Sequence, residues 1–315
     1  MNQADSPSPA HDLVSVCICT FRRPEGVIKA INSAMEQKVP AGWQIEIVVV
    51  DNDRGSIIGD SLRNTFAQTP ATVVRFHYVV EEQSGVSFAR NRCLQEAQGN
   101  LIAFIDDDEE ASPLWLVRMM EQLEKSDADA VFGPVLSEYS TTPPGWLMKC
   151  AIQDRLRFPS GKVIAWGDTR TGNVLFRRSM LEKVKQFDSR FARTGSEDTF
   201  FFYQATLKGG KLVWCDEAIV LEHVPTERMS RQWVLRRQFL GGRNFVFLRV
   251  SVYGSSAYLG WGLHGLAMAS VALPVTVVLL CVGHSGYMQF AIKTFSGLGK
   301  LAAPFYHGGD YAAPD

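Results

Sequence analysis

The sequence predicts an α/β fold with a mostly parallel central sheet flanked by helices, followed by a membrane-associated helical tail. Three observations carry that prediction. Short β-branched runs alternate with stretches of helical spacing from Leu13 to about Val135. These runs are apolar throughout, as strands covered on both faces are, whereas half-solvated strands alternate. A long uncharged stretch then follows a basic one towards the C-terminal end.

In chain order, "LVSVCICT" (13–20) reads as the first strand, and Pro24 marks the first turn of a helix reaching about Gln37. "IEIVVVD" (45–51) and "ATVVRFHYVV" (71–80) are the second and third strands, and "VSFARNRCLQEA" (86–97) has helical spacing. "LIAFIDDD" (101–108) is a fourth strand, Ser112 and Pro113 are expected as N-cap and N1 of a helix to about Lys125, and "ADAVFGPV" (128–135) is another strand. From Ser137 to Asn173 the alternation stops in a Pro-, Gly-, Trp- and Arg-rich stretch that reads as a long lid. "VLFRRSML" (174–181) restores regular structure, a helix is expected from about Asp198 to Lys208, and "KLVWCDEAIVLEH" (211–223) reads as strand.

Beyond Pro225, six arginines between residues 226 and 249 face the single acid Glu227, and no charged residue follows until Lys293. Within that gap "LHGLAMASVALPVTVVLLCV" (263–282) is long enough to cross a bilayer; a buried helix kinked at Pro274 is the alternative. Residues 287–306 carry two lysines and read as interfacial. The expected division is a disordered 1–12, an α/β region 13–249 (halves 13–135 and 136–249), a membrane-associated segment 250–306 and a tail 307–315.

The formal net charge of −1 argues against bulk nucleic-acid binding. Six scattered cysteines read as reduced core thiols in a cytosolic setting, and the polar first twelve residues do not form a secretory signal.

The chemistry concentrates at strand ends, where open α/β sheets bind ligands. "FIDDDEE" places five acids, Asp106 to Glu110, behind an apolar strand. Their mutual repulsion must be offset by a bound cation, by helix N–H groups or by solvent. Asp-x-Asp suits Mg²⁺ or Mn²⁺ bridging phosphate oxygens, although a solvated acidic loop explains a lone motif as well. Gly85 before a helix carrying Arg90 and Arg92 suits a diphosphate, with solvated arginines as the plainer account. Asp51 fits a base or ribose contact, or a turn shared with Asn52, Asp53 and Gly55. Glu197 and Asp198 open a helix, either as general base and neighbour or as cap. His223 ends a strand as a metal ligand or a structural residue.

"CTFRRP" (19–24), "VVVDNDRGS" (48–56), "SGVSFARNRC" (84–93), "FIDDDE" (104–109), "TGNVLFRRSML" (171–181) and "SEDTFF" (196–201) together resemble the family 2 glycosyltransferases over about residues 13–245, most closely those of bacterial succinoglycan-type exopolysaccharide synthesis. The resemblance implies a GT-A fold and inverting transfer from a nucleotide-sugar donor. It implies that Thr20, Phe21 and Arg22 line the nucleotide pocket, that Asp51, aided by Asp53, meets the base, and that Arg90 and Asn91 approach the diphosphate. Asp106 and Asp107 would serve the ribose and donor, Asp106, Asp108 and His223 the metal, and Gly172 and Asn173 the donor sugar. Asp198 would be the base and Glu197 would aid the acceptor.

"DNDRGS" departs from the commoner Asp-Asp-Gly-Ser, and "RMSRQW" (228–233) lacks the Gln-x-x-Arg-Trp signature of processive synthases, so single-sugar addition is expected. The implied donor is a UDP-hexose such as UDP-glucose, and the implied acceptor a polyprenyl-diphosphate-linked saccharide at the cytoplasmic face of the inner membrane. A sugar nucleotidyltransferase and a non-catalytic membrane-associated nucleotide-sugar-binding protein are the alternatives. The first would want a glycine-rich loop where "TFRRPEG" stands.

Overall fold

Strand β1 (Leu13–Thr20) shows how the sequence builds two cores at once. Val14, Val16 and Ile18 point to one face, where they meet Val27, Ala30, Ile31 and Ala34 of helix α1 (Pro24–Met35). Cys17 points to the other, beside Ala89, Cys93 and Leu94 of helix α2 (Val86–Glu96). Since side chains alternate along a strand, a run apolar at every position is needed to fill both layers.

The computed structural model describes residues 12–56, 59, 62, 74–152 and 155–305. The expected third strand therefore appears as β3 (Val74–Val80), its first three positions lying outside the described residues, as do most of both expected terminal tails. With β2 (Gln44–Asp51), β4 (Leu101–Ile105), β6 (Ala130–Phe132), β8 (Asn173–Arg177) and β9 (Leu212–Trp214), the described strands form a sheet in the order β3-β2-β1-β4-β8-β6-β9. All neighbours are parallel except β8, which runs antiparallel to β4 and β6. Register sets Thr20 beside Asp51, and Ile105 beside Asn173. The carboxyl ends of β1, β2 and β4 and the start of β8 thus share one edge.

Helix α3 (Trp115–Ser126) buries Trp115, Leu116, Met119 and Leu123 in the first core. In the second, Phe104, Phe132, Phe176, Phe187, Phe201 and Phe202 pack ring on ring, with Phe187 and Phe201 stacked at 4.5 Å and Phe132 edge-on to Phe202 at 4.7 Å. Each such ring stabilises by roughly 1.5–3 kcal/mol through burial, plus about 0.5–1.5 kcal/mol where pair geometry is good.

Several boundaries differ from expectation. The stretch 128–135 divides at Gly133–Pro134, where proline has no N–H for the ladder, into β6 and β7 (Val135–Tyr139). The stretch 211–223 is two strands, β9 and β10 (Val220–Val224), because Asp216 and Glu217 turn outward to pair with Arg157 and Ser160. β10 lies antiparallel to a short strand the sequence did not announce, β5 (Glu109–Ala111). Ser112 does not cap α3: its carbonyl accepts from Trp115 N–H at 2.9 Å, and the helix starts two residues after Pro113. All six cysteines are free, and Cys281 is exposed, so not every one is a core thiol.

The chain divides into two units: residues 1–136, 156–189 and 201–222 make the first, and 137–155, 190–200 and 223–315 the second. The first also holds helix α5 (Met180–Lys183). The second holds α4 (Gly145–Cys150), the start of α6 (Glu197–Leu207), α7 (Arg231–Tyr253), α8 (Ala257–Cys281) and α9 (Tyr287–Ala302). Ser230 caps α7, its hydroxyl accepting from Trp233 N–H at 3.2 Å. Among the described residues α8 is the one helix long and apolar enough to cross a membrane; it contains Pro274 without breaking.

Candidate active site

At the end of β1 the chain must turn sharply, and Arg22 does so with a positive φ of 55°. This throws the two arginines of "FRRP" in different directions. Arg22 lies over the Phe21 ring at 4.9 Å and donates from Nε to Asp53 Oδ2 at 2.9 Å. Arg23 donates to Asp107 Oδ1 at 2.8 Å and Asp108 Oδ2 at 3.0 Å. Thr20 Oγ1 donates to the other oxygen of Asp107 at 2.8 Å. Part of the acidic cluster's charge is therefore met from within by Arg23, a residue the sequence reading did not single out.

Asp107 is 5% exposed. Burial pushes its carboxyl up to about 6; Arg23 and Thr20 pull it down, and its acidic neighbours raise it further. For Arg23, burial works against the charge, but Asp107 and Asp108 outweigh it and hold the guanidinium above its ordinary range. The start of α1 presses on the same turn: no side chain fits at Gly26 against the Asp107 carbonyl.

Asp106 is held quite differently. Its backbone N–H donates to Glu109 Oε2 at 2.9 Å, its Oδ1 lies 3.4 Å from Arg90 Nη2, and its side chain remains 44% exposed. Arg90 is buried beside the Phe187 ring, so it braces Asp106 from inside the fold. Gly172 completes the wall: a Cβ there would lie 2.6 Å from Glu109 Oε1 and 3.1 Å from Asp106 Oδ2. Sequence reasoning chose Asp106, Arg90 and Gly172 separately, and the structure brings them together. It did not single out Glu109, whose only signal was its place in the acidic run.

Other expected residues lie inside the frame. Asp51, 1% exposed, accepts from Tyr78 Oη at 2.8 Å, Asp53 N–H at 3.0 Å and Ser56 Oγ. Asn91 clamps the Phe187 backbone, donating to its carbonyl at 2.9 Å and accepting from its N–H at 2.7 Å. Asn173 accepts from Trp115 Nε1 at 2.8 Å and donates to the carbonyls of Pro134 and Ala218 at 2.9 and 2.7 Å. Asp53 is nearer the surface, held below the usual carboxylate range by its bond to Arg22 and by Gly55 N–H. Arg92 pairs with Glu96 at 2.6 Å, one helical turn on.

In the second unit, the turn before α6 uses two successive positive φ values, 75° at both Gly195 and Ser196. It is pinned by Asn244 Nδ2 donating to the Thr194 carbonyl. The turn delivers Glu197 buried and Asp198 half-buried to the first turn of α6, where the helix dipole favours carboxylates. Asp198 Oδ1 accepts from Thr199 N–H at 2.6 Å. His223 Nδ1 sits 2.9 Å from Glu138 Oε2. Among the described residues no three His, Cys, Asp or Glu side chains are grouped to hold a metal ion. The oxygen-only pair Asp106 and Asp108 does fit a hard divalent cation by donor type, though Asp108 Oδ2 is engaged with Arg23.

Residues 15–185 match the sequence model of Glycosyl transferase family 2. The chain is 31% identical over 294 residues to the succinoglycan biosynthesis protein ExoM of Rhizobium meliloti (strain 1021), covering 92% of each. It is 25% identical to the glucosyl-dolichyl phosphate glucuronosyltransferase of Haloferax volcanii, covering 73% of this chain and 75% of that one. In structure it is similar to the mannosyltransferase PcManGT of Pyrobaculum calidifontis in complex with GDP-Man and Mn²⁺ (TM-score 0.61, 17% identity, covering 93% of this chain and 87% of that one). S. aureus TarS 1–349 in complex with UDP-GlcNAc is also similar (TM-score 0.54, 14% identity, covering 93% and 91%), and this chain spans 54% of a longer TarS chain. These structures share the GT-A fold. On the family match and the ExoM likeness together, the chain belongs to glycosyltransferase family 2.

Proposed function

We propose that this glycosyltransferase adds a single sugar from a UDP-hexose, UDP-glucose foremost, to a polyprenyl-diphosphate-linked saccharide in exopolysaccharide biosynthesis, with inversion, at the cytoplasmic face of the inner membrane. The observation that carries the reading is the division of labour at the end of β4. Asp107 is spent inside the fold on Thr20 and Arg23, while Asp106 is held outward by Arg90, Glu109 and Gly172. An outward carboxylate on a rigid strand end is what a nucleotide-sugar diphosphate with its cation requires. The UDP-sugar donor is supported by the likeness to TarS in complex with UDP-GlcNAc, the exopolysaccharide role by the succinoglycan likeness, and the lipid carrier by the dolichyl phosphate in the other relative's name.

Asp106 and Asp108 are the residues that would hold Mg²⁺ or Mn²⁺, an ion that when bound supplies positive charge to the departing diphosphate. Asp198 takes the proton from the acceptor hydroxyl as that oxygen attacks the anomeric carbon from the face opposite the leaving group. The strained Gly195–Ser196 turn fixes its position, and Glu197 orients the acceptor sugar.

The test is UDP release from a panel of nucleotide sugars, with and without Mn²⁺ or Mg²⁺, using wild type, Asp106→Asn and Asp198→Asn. Metal-dependent release from one sugar, lost in Asp106→Asn, is expected. With acceptor present, Asp198→Asn should lower transfer by about 10²–10⁴-fold while leaving donor binding intact. Pyrophosphate release in place of UDP would make the protein a nucleotidyltransferase, and full transfer by Asp198→Asn would remove the base assignment.

A further inference from the structure

Residues 228–305 contain six arginines and two lysines and neither aspartate nor glutamate. Through the middle of this positive stretch runs α8, which touches its own unit only along a narrow stripe. Gly265, Ala269 and Ala272 are buried, while Leu259, Leu263, Leu266, Val271, Val277 and Val278 are exposed. Small residues draw the three helices together in series. A Cβ at Gly265 would lie 2.7 Å from the Gly297 carbonyl, and one at Gly297 would lie 2.6 Å from the Gly265 carbonyl. On its other side α9 abuts α7, where no side chain fits at Gly242 against Ser296 O or at Gly299 against Phe239 O.

We infer that α8 does not cross the bilayer but lies flat in one leaflet of an anionic membrane, as the outermost layer of the α7–α9–α8 stack. By length it could cross: its 25 residues extend about 37 Å against about 30 Å of hydrocarbon. Its packing partners forbid it. Lys300 rests its stem on Gly265, and its Nζ is 3.3 Å from His264 Nδ1. Further along the same contact, Lys293 borders a cavity together with Val271 and Ala272, at the middle of the apolar run 263–282, and the adjoining Thr294 Oγ1 lies 3.5 Å from Thr276 Oγ1. An upright α8 therefore carries Lys293 to near the bilayer midplane, where ionisable groups are costly.

Laid flat, the same residues fall where a membrane surface wants them. The exposed leucines and valines of α8 enter the acyl region. Lys300, within 5.1 Å of the Phe245 ring and 5.7 Å of the Trp261 ring, reaches for the headgroups. Arg249 joins it, its guanidinium 4.9 Å from the Phe245 ring and 5.8 Å from that of Tyr253. Cations in a stretch that has no aspartate or glutamate of its own, rimmed by aromatic rings, complement anionic lipid. The same uniform charge disfavours a second copy of this chain on that face. The inference rests on the membrane localisation proposed above and settles its mode.

The experiment places one cysteine at either end of α8 in a Cys281→Ser background of the full chain. Ser255→Cys and Ser285→Cys are both exposed positions. Each is treated with a membrane-impermeant maleimide in intact cells and in inside-out vesicles. Both are expected to react in inside-out vesicles and neither in intact cells; one reacting only from the outside would show a span and overturn the inference. In parallel the purified protein is floated with phosphatidylethanolamine vesicles containing phosphatidylglycerol. Flotation is expected, weakening with salt and when phosphatidylcholine replaces both lipids, and lost in Leu263→Glu/Val271→Glu with donor hydrolysis unchanged. A wild type that stays unbound as a dimer would overturn both this inference and the membrane localisation, whereas a floating protein with ends on opposite faces would overturn this inference alone.

Discussion

Replacing Asn173 by alanine separates two roles for a residue the family resemblance places at the donor sugar. In the structure its amide is fully used internally: Oδ1 takes the Trp115 indole N–H, and Nδ2 serves the carbonyls of Pro134 and Ala218. Trp115 is fully buried, so its indole N–H cannot turn to solvent. Alanine orphans one donor and two acceptors at about 1–3 kcal/mol each, and partial relaxation brings the expected loss to about 4 kcal/mol. That is a large share of a typical 5–15 kcal/mol stability, and at about 2–4 °C per kcal/mol it lowers Tm by roughly 8–16 °C. Thermal unfolding by circular dichroism reads the loss. Trp115→Phe, which strands only the Asn173 oxygen, should cost about 1–2 kcal/mol. Asn173→Asp should be no better than alanine, because a carboxylate would face two carbonyls. The reasoning fails if Asn173→Ala melts within about 2 °C of wild type and yet loses donor hydrolysis, because the amide would then be serving the sugar and not the frame.

Gly172→Ala should do the reverse. Its Cβ would collide with Glu109 and press on Asp106, so about 10²-fold in kcat/KM is expected to go through misplacement of Asp106, with Tm lowered by only a few degrees. Asp107 gives a pH signature in metal-free protein. Its folded value of about 6 stands above its ordinary 3.8, so the folded state binds this proton more tightly than the unfolded chain. Its contribution is full below about pH 4 and lost as pH rises through 6, an upper limit of about 3 kcal/mol. The Tm difference between wild type and Asp107→Asn should therefore move in favour of wild type from pH 7 to pH 4.5 with chelator present; a flat difference refutes it. Arg23→Gln should lower Tm more at pH 8, where Asp107 is charged, than at pH 5, where it carries its own proton; equal losses would show that Arg23 acts by packing alone.

Much of the scaffold and part of the site could be read directly. β1, β2 and β4 are apolar at successive positions because each fills two cores, and that pattern survives in the sequence without reference to any partner. Pro24 at the start of α1 and Glu197–Asp198 at the start of α6 are local signals, set within a single turn of chain. Asp106 stands out by its place behind an apolar strand and Arg90 by its helix after Gly85, whereas Gly172 enters through the family resemblance alone.

What the sequence could not decide is which of several equivalent groups faces which way. Arg22 and Arg23 are indistinguishable as letters, and a positive φ at Arg22 sends one to Asp53 and the other to Asp107 and Asp108. Asp106 and Asp107 are likewise adjacent and alike, yet one is outward and the other buried with a raised carboxyl. The stretch 211–223 is apolar enough for one strand, but β6 and β5 each claim part of it. α8 is long and apolar enough for a span, and that α9 lays Lys293 and Lys300 along it is a contact no local pattern announces. By itself the sequence determined the layered α/β architecture, the strand ends that gather the acidic residues and the basic, apolar tail, since periodicity and local turn chemistry are properties of short segments. The tertiary structure alone decided which acid points out, which arginine meets the buried one, and which face of α8 is covered, because each depends on contacts between residues far apart in the chain.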